Sequence, residues 1–473
     1  MGLDHSDFEA FELEHSLFEL RVDGVPIWER IRFHVHREIA EQNGTGQAHT
    51  GVGDDWRDYL RGAGLFLKNI VQKNPYLTAE HDILFWGHHR RKKRDDGYWW
   101  DIYCDPIHEC SDYDYVHYEK PHMLEHRSPA RTSNLRYLDL IEHGGTIQQL
   151  LGVNEPSIPK AERDRLEAAQ DAIRDRFDAD VDLVSMAKEA LHVRRTTLPL
   201  YRWLLKRVDA ELAVIVVSYC RETFIDACKE QNVPVVELQH GVIYDHHFGY
   251  SFRGPRTKET FPDYLLTFGD FWKESVEFPI PDDRVFPIGY PYLEQSIDKY
   301  DDVETKDQLL FISQGTIGEQ LSKFALEVDR HSEIDHEIVY KLHPGEYDRW
   351  ETEYPWLLET DIEVVDSSDR QLYKLFAESD AQIGVGSTAV YEGLAFGLQT
   401  YIYDCPGSEV LEPLVNEGSA KLVTSVEGFV SSLGREEGTF DREYYFALKA
   451  TEQARNVIGH LADNGTPYEL SIE

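Results

Sequence analysis

From Asp82 to Tyr403 the chain repeats one pattern: a short apolar run, a polar loop, then a helical stretch. The best run is 212–218 (LAVIVVS), continuous and β-branched, as expected of a parallel strand buried on both faces. The same signal occurs at 82–87 (DILFWG), 113–118 (YDYVHY), 136–141 (RYLDLI), 234–239 (PVVELQ) and 264–268 (YLLTF). Helical stretches at 159–177, 183–210 and 223–229 lie among them. A second series runs 308–313 (QLLFIS), 337–342 (EIVYKL), 362–365 (IEVV), 381–385 (AQIGV) and 400–403 (TYIY). Strands alternating with helices predict parallel sheets covered by helices on both faces. Two such series predict an α/β chain of two Rossmann-like domains facing each other across a cleft. Ligands of such sheets bind beyond the carboxyl ends of the strands, so binding residues are expected in the loops that follow them.

The segment 279–306, rich in Pro, Asp and Gly, marks the boundary between the series. The expected domains are an N-terminal helical extension and linker (1–75), a first Rossmann-like domain (76–295), a second Rossmann-like domain (296–440) and a closing helix (441–473). Within the extension, Ile27, Trp28, Ile31, Val35 and Ile39 suit a helix beginning near Pro26. The Gly-rich stretch 41–58 reads as a linker. Residues 59–71 (YLRGAGLFLKNIV) suit an amphipathic helix, for which core packing is the stronger expectation and membrane attachment the weaker.

Composition narrows the function. The 473 residues carry 87 Asp and Glu against 48 Lys and Arg, a net charge of -39. Such a chain repels nucleic acid and anionic membrane over most of its surface, so no nucleic-acid partner and at most peripheral membrane contact are expected. Lys is scarcer than Arg, 18 against 30, and excess carboxylates with few Lys suit a protein adapted to concentrated salt. With 41 % hydrophobic residues the chain can build large cores. No run of about 20 apolar residues occurs, so no membrane-spanning helix is expected. The acidic first 30 residues do not resemble a secretory leader. Five cysteines without CxxC spacing disfavour a disulfide framework and a four-cysteine zinc site, and a cytoplasmic location is expected. No metal site is expected, since Asp245, His246 and His247 are too close in sequence to coordinate together. Motifs of P-loop nucleoside triphosphatases, dinucleotide oxidoreductases, α/β-hydrolases and zinc proteases are absent.

Six segments carry candidate chemistry. In 381–397 (AQIGVGSTAVYEGLAFG) a strand ends in Gly386, Ser387 and Thr388, which open a helix containing Glu392. Small residues at a helix start admit an anion to the backbone N–H groups, and Glu392 lies about one turn further in, where it suits a ribose diol. In 340–346 (YKLHPGE) His343 can donate to a phosphate, Gly345 permits a tight turn, and Glu346 falls at the same edge. After the strand 308–313 come Gln314, Gly315 and Thr316, and after 362–365 come Ser367 and Ser368, which suit a nucleotide base or a helix cap. In 235–248, His240 follows a buried strand and is the candidate general base. Finally Arg90, Arg91, Lys92, Lys93 and Arg94 are five consecutive cations in a loop after a strand, suited to an anionic acceptor or a leaving diphosphate.

The ordered set QHG (239–241), FPIGYP (286–291), KLHPGE (341–346), VDSSD (365–369) and GSTAVYEGLAFG (386–397) resembles the GT-B glycosyltransferases of capsule and surface polysaccharide synthesis. That architecture is shared with CDP-glycerol-type polyol-phosphate transferases and UDP-N-acetylglucosamine 2-epimerases. The resemblance covers about residues 210–405 and extends to PIWERIRF (26–33) and HHRRKKRDDGYWWDIYCDP (88–106). It implies a metal-independent enzyme without a cofactor, taking a nucleotide-sugar as donor and a glycan or lipid-linked saccharide as acceptor, peripheral at the inner membrane face if it meets a membrane at all. His343, Ser387 and Thr388 would contact the diphosphate, Glu392 the ribose, and His240 would face the acceptor. The chain has HGVIYD (240–245) where glycerophosphate polymerases have HGxxxK. Polyol-phosphate transfer, epimerisation and a non-catalytic nucleotide-binding module are the alternatives.

Overall fold

The computed structural model describes residues 5–44, 56–89, 91–252, 256–434 and 440–464. The chain forms two compact units: one reaches Pro291 and takes back the chain from Lys449, the other is Tyr292–Leu448.

In the first unit a small hairpin of β1 (Arg21–Val22) and β2 (Val25–Pro26) comes before the main sheet. Then follow β3 (Ile83–Trp86), the antiparallel hairpin β4 (Arg91–Lys93) with β5 (Trp99–Asp101), β6 (Tyr115–Glu119), β7 (Leu135–Tyr137), β8 (Leu212–Val216), β9 (Val235–Leu238), β10 (Tyr264–Thr267) and β11 (Val285–Pro287). The β4–β5 hairpin stands apart, and the other seven strands from β3 onward form one parallel sheet in the order β11-β10-β9-β8-β3-β6-β7. The chain winds outward from β3 to β7, then restarts at β8 and winds the other way. β3 and β8 therefore flank a topological switch point, where the loops diverge and leave a crevice.

The second unit holds β12 (Lys306–Ile312), β13 (Glu337–Lys341), β14 (Glu363–Val365), β15 (Ser379–Gly384), β16 (Gln399–Tyr403) and β17 (Lys421–Val423). All pairings are parallel, in the order β14-β13-β12-β15-β16-β17. Counted within the unit this is the 3-2-1-4-5-6 order of the doubly wound nucleotide-binding fold, with its switch point between β12 and β15.

The strands β3, β8, β9 and β10 are buried along their length, as helices on both faces require. The expected strand at 136–141 divides: it pairs only over Leu135–Tyr137, and Asp139 begins a helix. β11 and the helix Pro291–Tyr300 occupy the segment taken for a domain boundary. The early helix begins at Trp28, because Pro26 is held in register with Arg21 by the hairpin. The linker 41–58 lies in large part outside the described residues; the helices beside it are Trp28–Gln42 and Trp56–Val71.

The N-terminal helices build their own core, in which Phe8, Phe11, Trp28, Ile31, Phe177 and Phe248 are buried together. At its centre Arg32 forks onto Glu12, Nε to Oε1 at 2.5 Å and Nη2 to Oε2 at 2.9 Å, and Trp28 Nε1 donates to the same carboxylate at 2.6 Å. Arg32 Nη1 donates to the carbonyls of Phe248 (3.0 Å) and Ser251 (2.6 Å), and its plane lies 4.6 Å from the rings of Phe248 and Phe252. This extension thus fixes the loop carrying Tyr250.

Candidate functional site

At the switch point of the second unit, the loops after β12 and β15 are joined: Gln314 Nε2 donates to the Gly386 carbonyl at 2.9 Å. Gly386 has no room for a side chain, since a Cβ would stand 2.4 Å from the Gly407 carbonyl oxygen. Both are backbone positions, so Gly386→Ala is expected to destabilise by about 1–3 kcal/mol through overpacking, read as a lower melting temperature; an unchanged value would mean the loops part easily. Ser387 caps the helix Thr388–Ala395, its Oγ accepting from Ala389 N at 3.3 Å, and Glu392 is half-buried on that helix.

After β13, His343 is exposed and its Nδ1 accepts the Gly345 N–H at 3.2 Å. In the neutral ring the proton then lies on Nε2, a hydrogen-bond donor. Glu346 departs from expectation. It is fully buried, with Oε1 accepting from Ser313 Oγ (3.0 Å) and Tyr354 Oη (2.8 Å), and Oε2 from His343 N (2.7 Å). Every one of these bonds is internal, so Glu346 clamps the β12 and β13 loops and does not face a ligand. Ser367 Oγ closes a local turn, accepting from Asp369 N at 3.4 Å, while Gly315, Thr316 and Ser368 lie on the surface of their loops.

Two basic residues of this edge escaped sequence reasoning. Lys341 is buried at the end of β13 and donates to Tyr347 Oη (2.6 Å) and the Ser367 carbonyl (3.3 Å). Arg349 spans two loops, with Nε to the Gly345 carbonyl at 3.1 Å and Nη2 to the Gly315 carbonyl at 3.4 Å. Arg349 lies four residues beyond Gly345, and nothing local in the sequence marks it.

In the first unit His240 stands between two tyrosines: Tyr219 Oη is 3.1 Å from Nε2 and Tyr250 Oη is 3.4 Å from Nδ1. Tyr250 in turn donates to Glu237 Oε1 at 2.5 Å, and that oxygen also accepts from Ser218 N at 3.0 Å. Glu237 is fully buried in β9, and burial raises its pKa while the bonds from Tyr250 and Ser218 oppose the rise. Burial, with Glu237 beside it, holds the Tyr250 phenol protonated well beyond its ordinary range. Tyr250 therefore directs its O–H at Glu237 and can accept from His240 Nδ1–H, which makes Nε2 the acceptor nitrogen, facing the Tyr219 hydroxyl. Just before Ser218, Val217 has φ +72, a conformation costing a β-branched residue on the order of 1–3 kcal/mol. That turn directs the Ser218 N–H at Glu237.

Arg221 ties the first switch point together, donating to the carbonyls of Trp86 (2.7 Å) and Gly87 (3.1 Å). Burial lowers its pKa to about 10, and among the described residues no carboxylate lies within ion-pair distance of it. It helps to line a pocket of about 510 Å³, together with Trp86, Lys120, Glu142, Tyr201 and Glu222. Cys220 is exposed on the same wall.

The run of cations does not act as one patch. Arg90 lies outside the described residues. The others form β4 and its turn, where Arg91 is buried and the three cations after it are exposed. Arg91 points inward, fully buried, paired with Glu119 through Nε and with Asp105 at 3.5 Å. It is a structural ion pair and not an anion ligand. Lys92 and Lys93 are exposed, and exposed Arg94 pairs with Glu109 at 3.3 Å over the Trp100 ring. Beneath the hairpin, Asp101, Cys104 and His117 bring ligand atoms within 4.8 Å of one another, the one such metal-compatible group among the described residues. Gly87 touches this group: a Cβ there would lie 2.3 Å from both Asp101 Oδ2 and His117 Nε2.

No family model matches the chain, and no curated protein matches it. Solved structures do. They include UDP-GlcNAc 2-epimerase from Methanocaldococcus jannaschii in complex with UDP-GlcNAc and UDP (11 % identity, 81 % of this chain and 99 % of that one, TM-score 0.46). The UDP-GlcNAc 2-epimerase from Neisseria meningitidis bound to UDP-GlcNAc is similar at 13 % identity, 81 % and 100 % coverage and TM-score 0.46. The wall teichoic acid polymerase TagF is similar at 13 % identity, 87 % and 98 % coverage and TM-score 0.41. These are the two enzyme types named with the motif order. At such identities and TM-scores, no residue role passes from them to this chain.

Proposed function

We propose that the chain is a glycosyltransferase, moving a sugar from a nucleotide-sugar to a hydroxyl of a surface glycan or lipid-linked saccharide. The observation that carries this reading is the chain His240–Tyr250–Glu237. A histidine held in one tautomer by a hydroxyl and a buried carboxylate is the arrangement by which a general base is oriented. The acceptor hydroxyl takes the place of Tyr219 Oη on His240 Nε2, which removes its proton as the acceptor oxygen bonds to the anomeric carbon. The bond from that carbon to the diphosphate breaks, and the diphosphate leaves with the electron pair. His343 Nε2–H and the start of the helix Thr388–Ala395 meet the charge that develops on it. Glu392 takes the ribose diol, Ser367 and Ser368 border the base, and Gln314, Gly315, Thr316, Gly386, Ser387 and Thr388 line the diphosphate. The 510 Å³ pocket of the same unit, with aromatic rings and charged groups of both signs, suits the hydroxyl-rich body of the acceptor, whose reacting hydroxyl must extend from it to His240, which does not line it.

The test is an assay with nucleotide-sugars and saccharide acceptors. Acceptor-dependent release of a nucleoside diphosphate, with the sugar recovered on the acceptor, is the expected result. Conversion of the donor to its 2-epimer without an acceptor, or transfer of a polyol phosphate with release of a nucleoside monophosphate, would replace this reading with an alternative.

A further inference from the structure

The helix Trp56–Val71 lies on the helix Asp139–Leu150 by a narrow face. Gly62 sits on the His143 ring, and Asn69 Oδ1 accepts from Leu140 N at 3.0 Å. Its opposite face is apolar and uncovered: Leu60, Leu67 and Val71 are 62 %, 63 % and 80 % exposed, and Ala63 and Gly64 complete the stripe at helical spacing. Leu150 and Leu151, at the end of the helix beneath, are exposed as well. A stripe of this kind on a monomer marks an interaction surface.

Charge tells what covers it. The chain carries -39 overall, yet this helix has Arg57, Arg61 and Lys68 against the single carboxylate Asp58, and Lys73 follows it. Over the rest of the chain carboxylates outnumber cations; within this helix cations outnumber the carboxylate, with Asp54 and Asp55 just before it in the sequence. An apolar stripe bordered by cations is the form in which a helix lies in a lipid interface, its apolar side in the acyl boundary and its cations among the headgroups. No helix among the described residues is long and apolar enough to cross a membrane, so attachment would be to the surface.

We infer that the helix Trp56–Val71 docks the protein on an anionic lipid bilayer through Leu60, Leu67 and Val71. Tyr59 of this helix and Gln149 and Leu150 of the next also line the 510 Å³ pocket. Resting on the glycosyltransferase reading, the docked helix would hold that pocket at the surface where a lipid-linked acceptor lies.

The test is co-sedimentation of the full chain with vesicles of phosphatidylcholine and phosphatidylglycerol, and with phosphatidylcholine alone. It is run at the lowest salt at which circular dichroism shows the native state. Wild-type protein is expected to pellet with the mixed vesicles, with a partition coefficient at least tenfold above that for the neutral ones. The variant carrying Leu60→Ser, Leu67→Ser and Val71→Ser is expected to stay in the supernatant with an unchanged melting temperature, since these side chains are already in water. Wild type left in the supernatant, or the triple variant pelleting equally, overturns the inference. So does a wild-type dimer in solution that the triple variant dissolves, which would assign the stripe to a second copy of the chain. None of these readouts uses turnover, so the docking and the chemistry fail separately.

Discussion

Replacing His240 with alanine is expected to lower turnover by about two to four orders of magnitude while the affinity for a nucleoside diphosphate stays the same. His240 belongs to the first unit, whereas the residues proposed for the diphosphate lie in the second. Tyr250→Phe separates base from support. It removes the hydroxyl between His240 Nδ1 and Glu237 and leaves the ring packed. A smaller loss of turnover is expected, about tenfold, together with an altered pH profile, because Nδ1 loses its acceptor and Glu237 its donor. Steady-state kinetics across pH, with diphosphate titrations on the same samples, check both. Normal turnover by the His240→Ala variant would remove His240 from the chemistry.

Arg32→Met is expected to destabilise the first unit by about 3–5 kcal/mol, because it strands the buried Glu12 carboxylate without its guanidinium. It also frees the carbonyls of Phe248 and Ser251, which flank Tyr250. Turnover is therefore expected to fall along with stability, even where the protein remains folded. The double variant Glu12→Leu with Arg32→Met is expected to recover most of the stability, since two apolar side chains need no partner, but not the loop anchoring. Denaturant unfolding of the three proteins tests the first part. A loss below about 1 kcal/mol for Arg32→Met would show that the pair is not desolvated as its burial implies.

The strand pattern was the most legible feature, because a strand covered on both faces must be apolar throughout, and the runs at 212–218 and 308–313 are. Short strands were harder. β11 and β17 are three residues each, and β11 sits among prolines, so neither has a period to read. Consecutive charges such as 90–94 look like one patch in a sequence, whereas the hairpin buries Arg91 against Glu119 and Asp105 and leaves Lys92, Lys93 and Arg94 exposed. Glu346 misled because a carboxylate after a strand reads equally as ligand or clamp, and only the positions of Ser313 and Tyr354 decide it. Glu237 did leave a trace: a carboxylate inside the apolar run PVVELQ must find a partner. That the partner would be Tyr250, thirteen residues on, depends on the turn of the loop that Arg32 holds.

The central claim is that the switch point of the second unit binds the diphosphate of a nucleotide, and titration calorimetry of the full chain with UDP, GDP, CDP and dTDP tests it most directly. The account predicts that one of them binds selectively, and that His343→Ala weakens it about tenfold or more, the worth of a hydrogen bond to a charged group. A folded protein that binds none of the four, or a His343→Ala variant that binds as tightly as wild type, would contradict it.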